Sequence, residues 1–294
     1  MTDPASAATG AKVPFSFNEF DPAAAFDADS DVDPGPRPDI VTLLGPRFDQ
    51  PRGEPATKTL IICAAPRTGS YELARFLTAA GIGVPHEYFN PTCATAIAAR
   101  WELTGNVLEE RTLGRYIDEL RRRRARGGVF AAKLQYWQYE DTLCNAHGRA
   151  LFERAVVVHL FRADVVNQFL SWHRACESGR FDFTDKVTHP PRDTAGLYRE
   201  DGLLPMLDQL VTDDANFRRL FTLIGVNPIF CEFADLIRDP RRIVAAVADA
   251  LGVSVKQDGL DKMIACTQRY AGASGDTSRD DTLRQLMLSL AFKK

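Results

Sequence analysis

The stretch Thr59 to Ser70, TLIICAAPRTGS, decides the fold. Thr59 to Ala64 is a short apolar run with β-branched side chains, the pattern of a buried strand. Ala65 to Ser70 forms a turn of small residues around Pro66, Arg67 and Gly69. Beyond it, Leu73, Phe76, Leu77 and Ala80 recur at i, i+3, i+4 and i+7, one face of a helix that Gly81 ends. A strand that feeds a helix through such a turn aims backbone N–H groups and the positive end of the helix dipole at one point, where a phosphate can sit. Gly69 permits close approach of the backbone, and Arg67 adds charge-assisted hydrogen bonds. An ordinary βα turn fits the same residues, so the stretch alone leaves both readings open.

The turn differs from the nucleotide-triphosphate loop G-x-x-x-x-G-K-[ST], because Gly69 is followed directly by Ser70 and no Lys intervenes. A nucleotide kinase is therefore disfavoured but stays as an alternative, as does a non-catalytic nucleotide-binding or assembly protein. The 294 residues are 45% hydrophobic with a net charge of −3, which suits one large globular domain with or without appendages. No long apolar run predicts a transmembrane helix, and the N-terminus lacks the apolar centre of a secretory signal. Cys63, Cys93, Cys144, Cys176, Cys231 and Cys266 form no C-x-x-C pair, so reduced thiols in a cytoplasmic protein are expected and a structural zinc site is not. Residues 1–50 hold nine acids against Lys12, Arg37 and Arg47, a balance of −6 that leaves +3 on residues 51–294. A mildly basic body suits a small polyanion and is too weakly charged for nucleic acid.

Residues 1–56, rich in Ala, Asp and Pro, read as a flexible or loosely packed arm, with Phe15, Phe17, Phe20 and Phe26 available for docking. Residues 57–294 form the main domain. Pro85-His86-Glu87-Tyr88-Phe89 is extended and closed by Pro91, and Leu113, Tyr116, Ile117 and Leu120 mark a helix ending in the solvated basic run Arg121 to Arg124. Strands are expected at Val129–Leu134, Ala155–Phe161 and Ile229–Phe233, with a helix at Asp164–Cys176. Residues 179–203 read as a lid or acceptor loop, and 282–292 as a C-terminal amphipathic helix with an apolar stripe of Leu283, Leu286, Met287 and Leu290. Alternating strands and helices predict an α/β fold, a parallel sheet flanked by helices, whose ligands bind beyond the carboxyl ends of the strands. That gathers Arg67, Lys133 and Arg162 at one edge.

The second informative motif runs from Arg162 to His173, RADVVNQFLSWH, where an Arg at a strand end and Ser171 on the next helix can clamp another phosphate. With the turn, it resembles the sulfotransferases that use 3′-phosphoadenosine 5′-phosphosulfate (PAPS), and within them the bacterial trehalose 2-sulfotransferase family. That family's R-P-D-V-V-x-Q-x-x-S-x-W is matched by Arg162 to His173, with Ala163 for the Pro and Trp172-His173 where the family reads x-W. Its Q-R-S-G-S-T loop corresponds to Pro66 to Tyr71, its P-x-E-F-F to Pro85 to Phe89, and its G-K-L to Ala132-Lys133-Leu134. The resemblance spans roughly residues 57–272, and Tyr71 departs from it where the family has Thr.

The resemblance implies a P-loop-like sulfotransferase fold, with PAPS as donor and a hydroxyl acceptor on a small molecule, sugar or glycolipid. Arg67, Thr68, Gly69, Ser70 and Tyr71 would hold the 5′-phosphosulfate, Arg162 and Ser171 the 3′-phosphate, and Arg269 joins the donor set. Lys133 would approach the sulfuryl or bridging oxygen; the superfamily's usual base position, two residues after Lys133, is Gln135, which cannot take that role, and the resemblance assigns it instead to Glu87 of the P-x-E-F-F segment. His86 competes for it, its reference pKa being nearer neutrality. His86, Gln135 and Trp137 would border the acceptor. No metal is required, since a sulfuryl group carries less charge than a phosphoryl group. The resemblance and the apolar stripe of the last helix also imply a homodimer.

Overall fold

The computed structural model describes residues 43–178 and 200–270, together with 281, 283–285, 287 and 289; the side chains of 200–203 and 268–270 are not described. The four Phe of the arm, the span 179–199 and the Arg269 side chain therefore lie outside the described residues.

Four strands, β1 (Lys58–Ala64), β2 (Val129–Leu134), β3 (Ala155–Phe161) and β4 (Ile229–Glu232), make one parallel sheet in the order β2-β1-β3-β4. Parallel strands need crossovers, and helices supply them. Helix α1 (Ser70–Ala79), α2 (Pro91–Arg100) and α3 (Glu110–Arg123) lie between β1 and β2; α4 (Ala146–Phe152) lies between β2 and β3. Helices α5 (Val165–Ser178) and α6 (Glu200–Ile224) precede β4; α7 (Phe233–Arg238), α8 (Pro240–Leu251) and α9 (Gln257–Tyr270) follow it. The expected α/β class and the four strands are thus found.

Side chains alternate across each strand and bury on both faces, as a sheet covered on two sides requires. Ile61, Cys63, Phe130, Ala132 and Val157 pack with α2, α3 and part of α6. Leu60, Ile62, Ala131, Val158 and Leu160 pack with α1, α8 and α9. Register pairs Cys63 with Leu134, Ala64 with Leu160 and Phe161 with Glu232. Ala65, Gln135, Arg162 and Phe233 therefore leave the sheet along one edge.

Two expectations are corrected. Residues 43–56 are not a loose arm. Leu43 and Leu44 are buried, Gln50 N donates to Arg123 O at 2.7 Å, and Ala56 N to Arg121 O at 2.9 Å. The basic run is not a solvated helix end either. Arg124 is wholly buried; its Nε donates to the Tyr88 hydroxyl at 2.9 Å and its Nη1 to Asp49 at 2.9 Å, and its Nη2 is bonded to Leu43 O. Asp49 also accepts from Arg100 Nε at 2.7 Å and Trp101 Nε1 at 2.8 Å. The arginines clamp this strap because its carbonyls and Asp49 would otherwise be buried without donors.

The last helix also gains a local explanation. Leu283 and Met287 pack with Phe169, Leu170 and Trp172 of α5 and Met206 and Leu210 of α6. The part of its stripe that is described is covered by its own chain and no longer argues for a second one. Helix α6 begins at Glu200, inside the span read as a loop.

Candidate active site

The turn after β1 is held open by strain that its neighbours offset. Arg67 sits at φ 64°, the left-handed region, which costs a non-glycine residue roughly 1–2 kcal/mol. Gln168 Nε2 of α5 donates to Pro66 O at 2.7 Å, and Thr68 Oγ1 to Ala65 O at 3.0 Å. Gly69 follows at φ 82°; a Cβ there would lie 2.7 Å from the Phe233 ring. Ser70 then starts α1, whose first backbone N–H groups have no intrahelical acceptor and face the space above the turn.

Two guanidinium groups border that space. Arg67 Nε donates to Ser171 Oγ at 3.1 Å, joining the turn to α5. Arg162 lies with its Cζ 4.7 Å above the Phe233 ring, the ring that also abuts Gly69. Burial pulls the Arg162 pKa below the usual arginine value against the attraction of Asp164 and Glu232. No carboxylate forms an ion pair with it among the described residues. A half-buried cation in that state is a ready partner for an anion.

The second half of the site is built on β2. The segment after α1 runs beside β2 and makes one parallel bridge, His86 with Ala132, with Lys133 N donating to His86 O at 2.9 Å. Gly83 makes the approach possible, because a Cβ there would lie 2.4 Å from that of Ala131. Tyr88 and Phe89 are core, while the next residue upstream, Glu87, turns its carboxylate over the end of β2.

That carboxylate is buried and densely bonded. Its Oε1 accepts from Tyr71 Oη at 2.8 Å, from Gln135 Nε2 at 3.2 Å and from the Lys133 ammonium; its Oε2 accepts from Gln138 Nε2 at 2.6 Å. Burial alone would raise its pKa, but the charge and hydrogen bond of Lys133, aided by the Tyr71 hydroxyl, bring it down to about 2. Lys133 Nζ also lies 3.7 Å from the centroid of the Tyr71 ring. His86 is buried, with its ring 6.1 Å from that of Tyr71. Trp137, half-buried, donates from Nε1 to Gln135 Oε1 at 3.0 Å.

Tyr71, second residue of α1, therefore spans from the turn to the carboxylate. Residues 66–71, Arg162, Ser171, Glu87, Lys133, Gln135, His86 and Trp137 all stand at one edge of the sheet; Arg269 is on α9, its side chain outside the described residues. Three partners were not foreseen. Gln168 had a signal, since it is the Q of the Arg162–His173 motif. Gln138 had a weaker one, three residues from Gln135, with which it closes a capping box. Phe233 had none.

Residues 59–280 match the Stf0 sulphotransferase family. The chain belongs to that family. Two trehalose 2-sulfotransferases are similar to it. That of Mycobacterium tuberculosis (strain ATCC 35801 / TMC 107 / Erdman) is 25% identical over 238 residues, 68% of this chain and 86% of its own length. That of Mycolicibacterium smegmatis (strain ATCC 700084 / mc(2)155) is 25% identical over 229 residues, 65% and 83% of the two chains. Among solved structures, the sulfotransferase domain of the Synechococcus PCC 7002 olefin synthase covers 83% of this chain and 98% of its own, at 15% identity and a TM-score of 0.40, a likeness too slight to carry an argument. No described helix of this Stf0 sulphotransferase is long and apolar enough to cross a membrane.

Proposed function

We propose that this Stf0-family sulfotransferase takes its sulfuryl group from PAPS and transfers it to a hydroxyl of a sugar or glycolipid, with Glu87 as base. The observation that carries the donor assignment is the pair Arg67–Ser171 beside Arg162, two cationic points around one turn, one of them without an ion-pair partner among the described residues. The turn amides and Arg67 would hold the 5′ end of the donor, and Arg162 with Ser171 the 3′-phosphate. When bound, the donor supplies the sulfuryl group and an anionic leaving group. The sugar acceptor is supported by the two relatives named for trehalose.

Glu87 is ionised at neutral pH and has the chemistry of a base, but a carboxylate held at about pKa 2 is a weak one. Lys133 resolves this. If its ammonium turns from Glu87 toward the leaving oxygen, the same movement restores basicity to the carboxylate and stabilises the charge that develops opposite. His86, buried behind Tyr71, is less accessible to an acceptor.

The test is thermal stabilisation. Adenosine 3′,5′-bisphosphate should raise the melting temperature clearly more than AMP or ATP, because a ligand of the folded state stabilises it by mass action. Equal shifts from AMP and the bisphosphate would remove the 3′-phosphate assignment. Homodimerisation, implied by the family resemblance, is checked by sedimentation at micromolar concentration; a monomer there ends it.

A further inference from the structure

Both oxygens of the Glu87 carboxylate are already occupied, Oε2 by Gln138, Gln135 and Asn90. Tyr71, Lys133 and Gln135 all donate to Oε1. Gln135 is buried and withdrawing it would strand an amide away from water, and the buried Lys133 ammonium can leave only for another anion such as the donor. Tyr71 is only half-buried and stands on the first turn of α1, so its phenol can turn toward solvent and rehydrate. Its hydroxyl at 2.8 Å is placed as an acceptor hydroxyl would be placed to lose its proton to this carboxylate.

We propose that the Tyr71 phenol fills the acceptor hydroxyl's seat on Glu87 until an acceptor displaces it. The inference rests on Glu87 as base and PAPS as donor, and adds a residue that controls entry to the reaction. Because the ring face lies 3.7 Å from Lys133 Nζ, the displacement that opens the seat also uncovers the ammonium. While the phenol stays, water is kept from the seat. Without it, a water hydrogen-bonded to Glu87 can attack: its oxygen bonds to sulfur, the bond from sulfur to the bridging phosphate oxygen breaks, that oxygen leaves with the electron pair on adenosine 3′,5′-bisphosphate, and the water proton passes to Glu87, giving sulfate.

The experiment uses the full chain with PAPS and no acceptor. Tyr71→Thr, which shortens the side chain to the residue the family resemblance has there, should release the bisphosphate faster than wild type by about tenfold or more. Tyr71→Phe, which keeps the ring but loses the hydroxyl that fills the seat, should release it at a rate between those of wild type and Tyr71→Thr. A donor-free measurement checks the contact itself: without the phenol hydrogen bond the folded-state pKa of Glu87 rises, so Tyr71→Phe should lose less stability than wild type as pH falls below 4.5, and its loss should level off at a higher pH. Bisphosphate-induced thermal shifts in every variant separate the possible failures. No shift in wild type removes the donor assignment and the inference with it. Normal shifts with no faster release from Tyr71→Thr, or an unchanged acid profile in Tyr71→Phe, overturn the inference alone.

Discussion

Two arginine-rich regions of this molecule look alike in sequence and differ in what their guanidinium groups touch. At the strap, Arg124 is wholly enclosed by Asp49, Tyr88 and the carbonyls of Leu43 and Gly45, and the part-exposed Arg100 is bonded to Asp49 and Leu44 O. At the turn, Arg67 reaches a hydroxyl and Arg162 rests on an aromatic ring. The first set has its donor capacity consumed by the chain. In the second, Arg162 has no ion-pair partner among the described residues. A guanidinium presents a fixed fork of donors, so the place where those donors end separates an arginine consumed by the fold from one that stays a candidate for a ligand.

The sharpest way to break this comparison is at the carboxylate that belongs to the site. Glu87→Gln should leave the bisphosphate thermal shift intact while turnover with any hydroxyl acceptor that wild type sulfates falls roughly 10²–10⁴-fold, the range of a lost general base. His86→Asn should cost much less. Near-normal turnover for Glu87→Gln with a dead His86→Asn would transfer the role to His86.

The strap should fail in stability instead. Arg124→Ala strips the buried Leu43 carbonyl of its guanidinium donor and leaves Asp49 to Arg100 and Trp101 alone, at about 3–5 kcal/mol, read in urea melts. Bisphosphate binding of whatever fraction stays folded should be unchanged. A loss under about 1 kcal/mol would mean that the strap is not anchored by this residue.

Acid tests the buried Glu87–Lys133 ion pair. The Glu87 pKa is lowered in the folded protein, so its contribution to stability is full above the unfolded value of 4.5 and is lost as pH falls toward about 2. Wild type should therefore lose more stability over that window than Glu87→Gln, by roughly 2–3 kcal/mol in urea melts. Equal losses would contradict a strongly depressed pKa.

Smaller effects sharpen the donor side. Arg162→Ala should abolish the preference for the bisphosphate over AMP, a loss of about tenfold in affinity or more, with stability within about 0.5 kcal/mol of wild type. Gln168→Leu frees the Pro66 carbonyl and lets Arg67 relax, so affinity should fall about fivefold at a stability cost near 1 kcal/mol. If Arg162→Ala unfolded the protein while Arg124→Ala did not, the division between the two regions would be reversed.

Much of this was legible in the chain. Strands of β-branched residues bury on both faces and leave an unbroken apolar signal, so β1 to β3 stand where Thr59–Ala64, Val129–Leu134 and Ala155–Phe161 predict them. Glu87 and Lys133 were legible as candidates but not as an ion pair, because a single bridge between His86 and Ala132 creates that contact and one bridge leaves no periodic trace. The strap was misread because Arg121 to Arg124 match a solvated helix end in every local respect. Their partners, Ala56 O, Gly53 O and Asp49, lie 65 to 75 residues upstream. Phe233 escaped for a related reason: it matters only through the two residues it touches, Gly69 and Arg162.

The separation of Asp49 from Arg124 has a consequence for how the protein is made. Their hydrogen bond spans 75 residues, and the strap precedes every strand. On a ribosome adding about 5–20 residues per second, Leu43, Leu44 and Asp49 emerge roughly 4–15 s before the guanidinium that secures them. Through that interval the apolar stretch has only part of its native contacts available, such as Ala74 and Val84, and lacks the guanidinium that secures it. Slow codons between residues 50 and 124 would prolong the exposure, whereas a chaperone that shields the N-terminal segment until α3 is complete would shorten its reach.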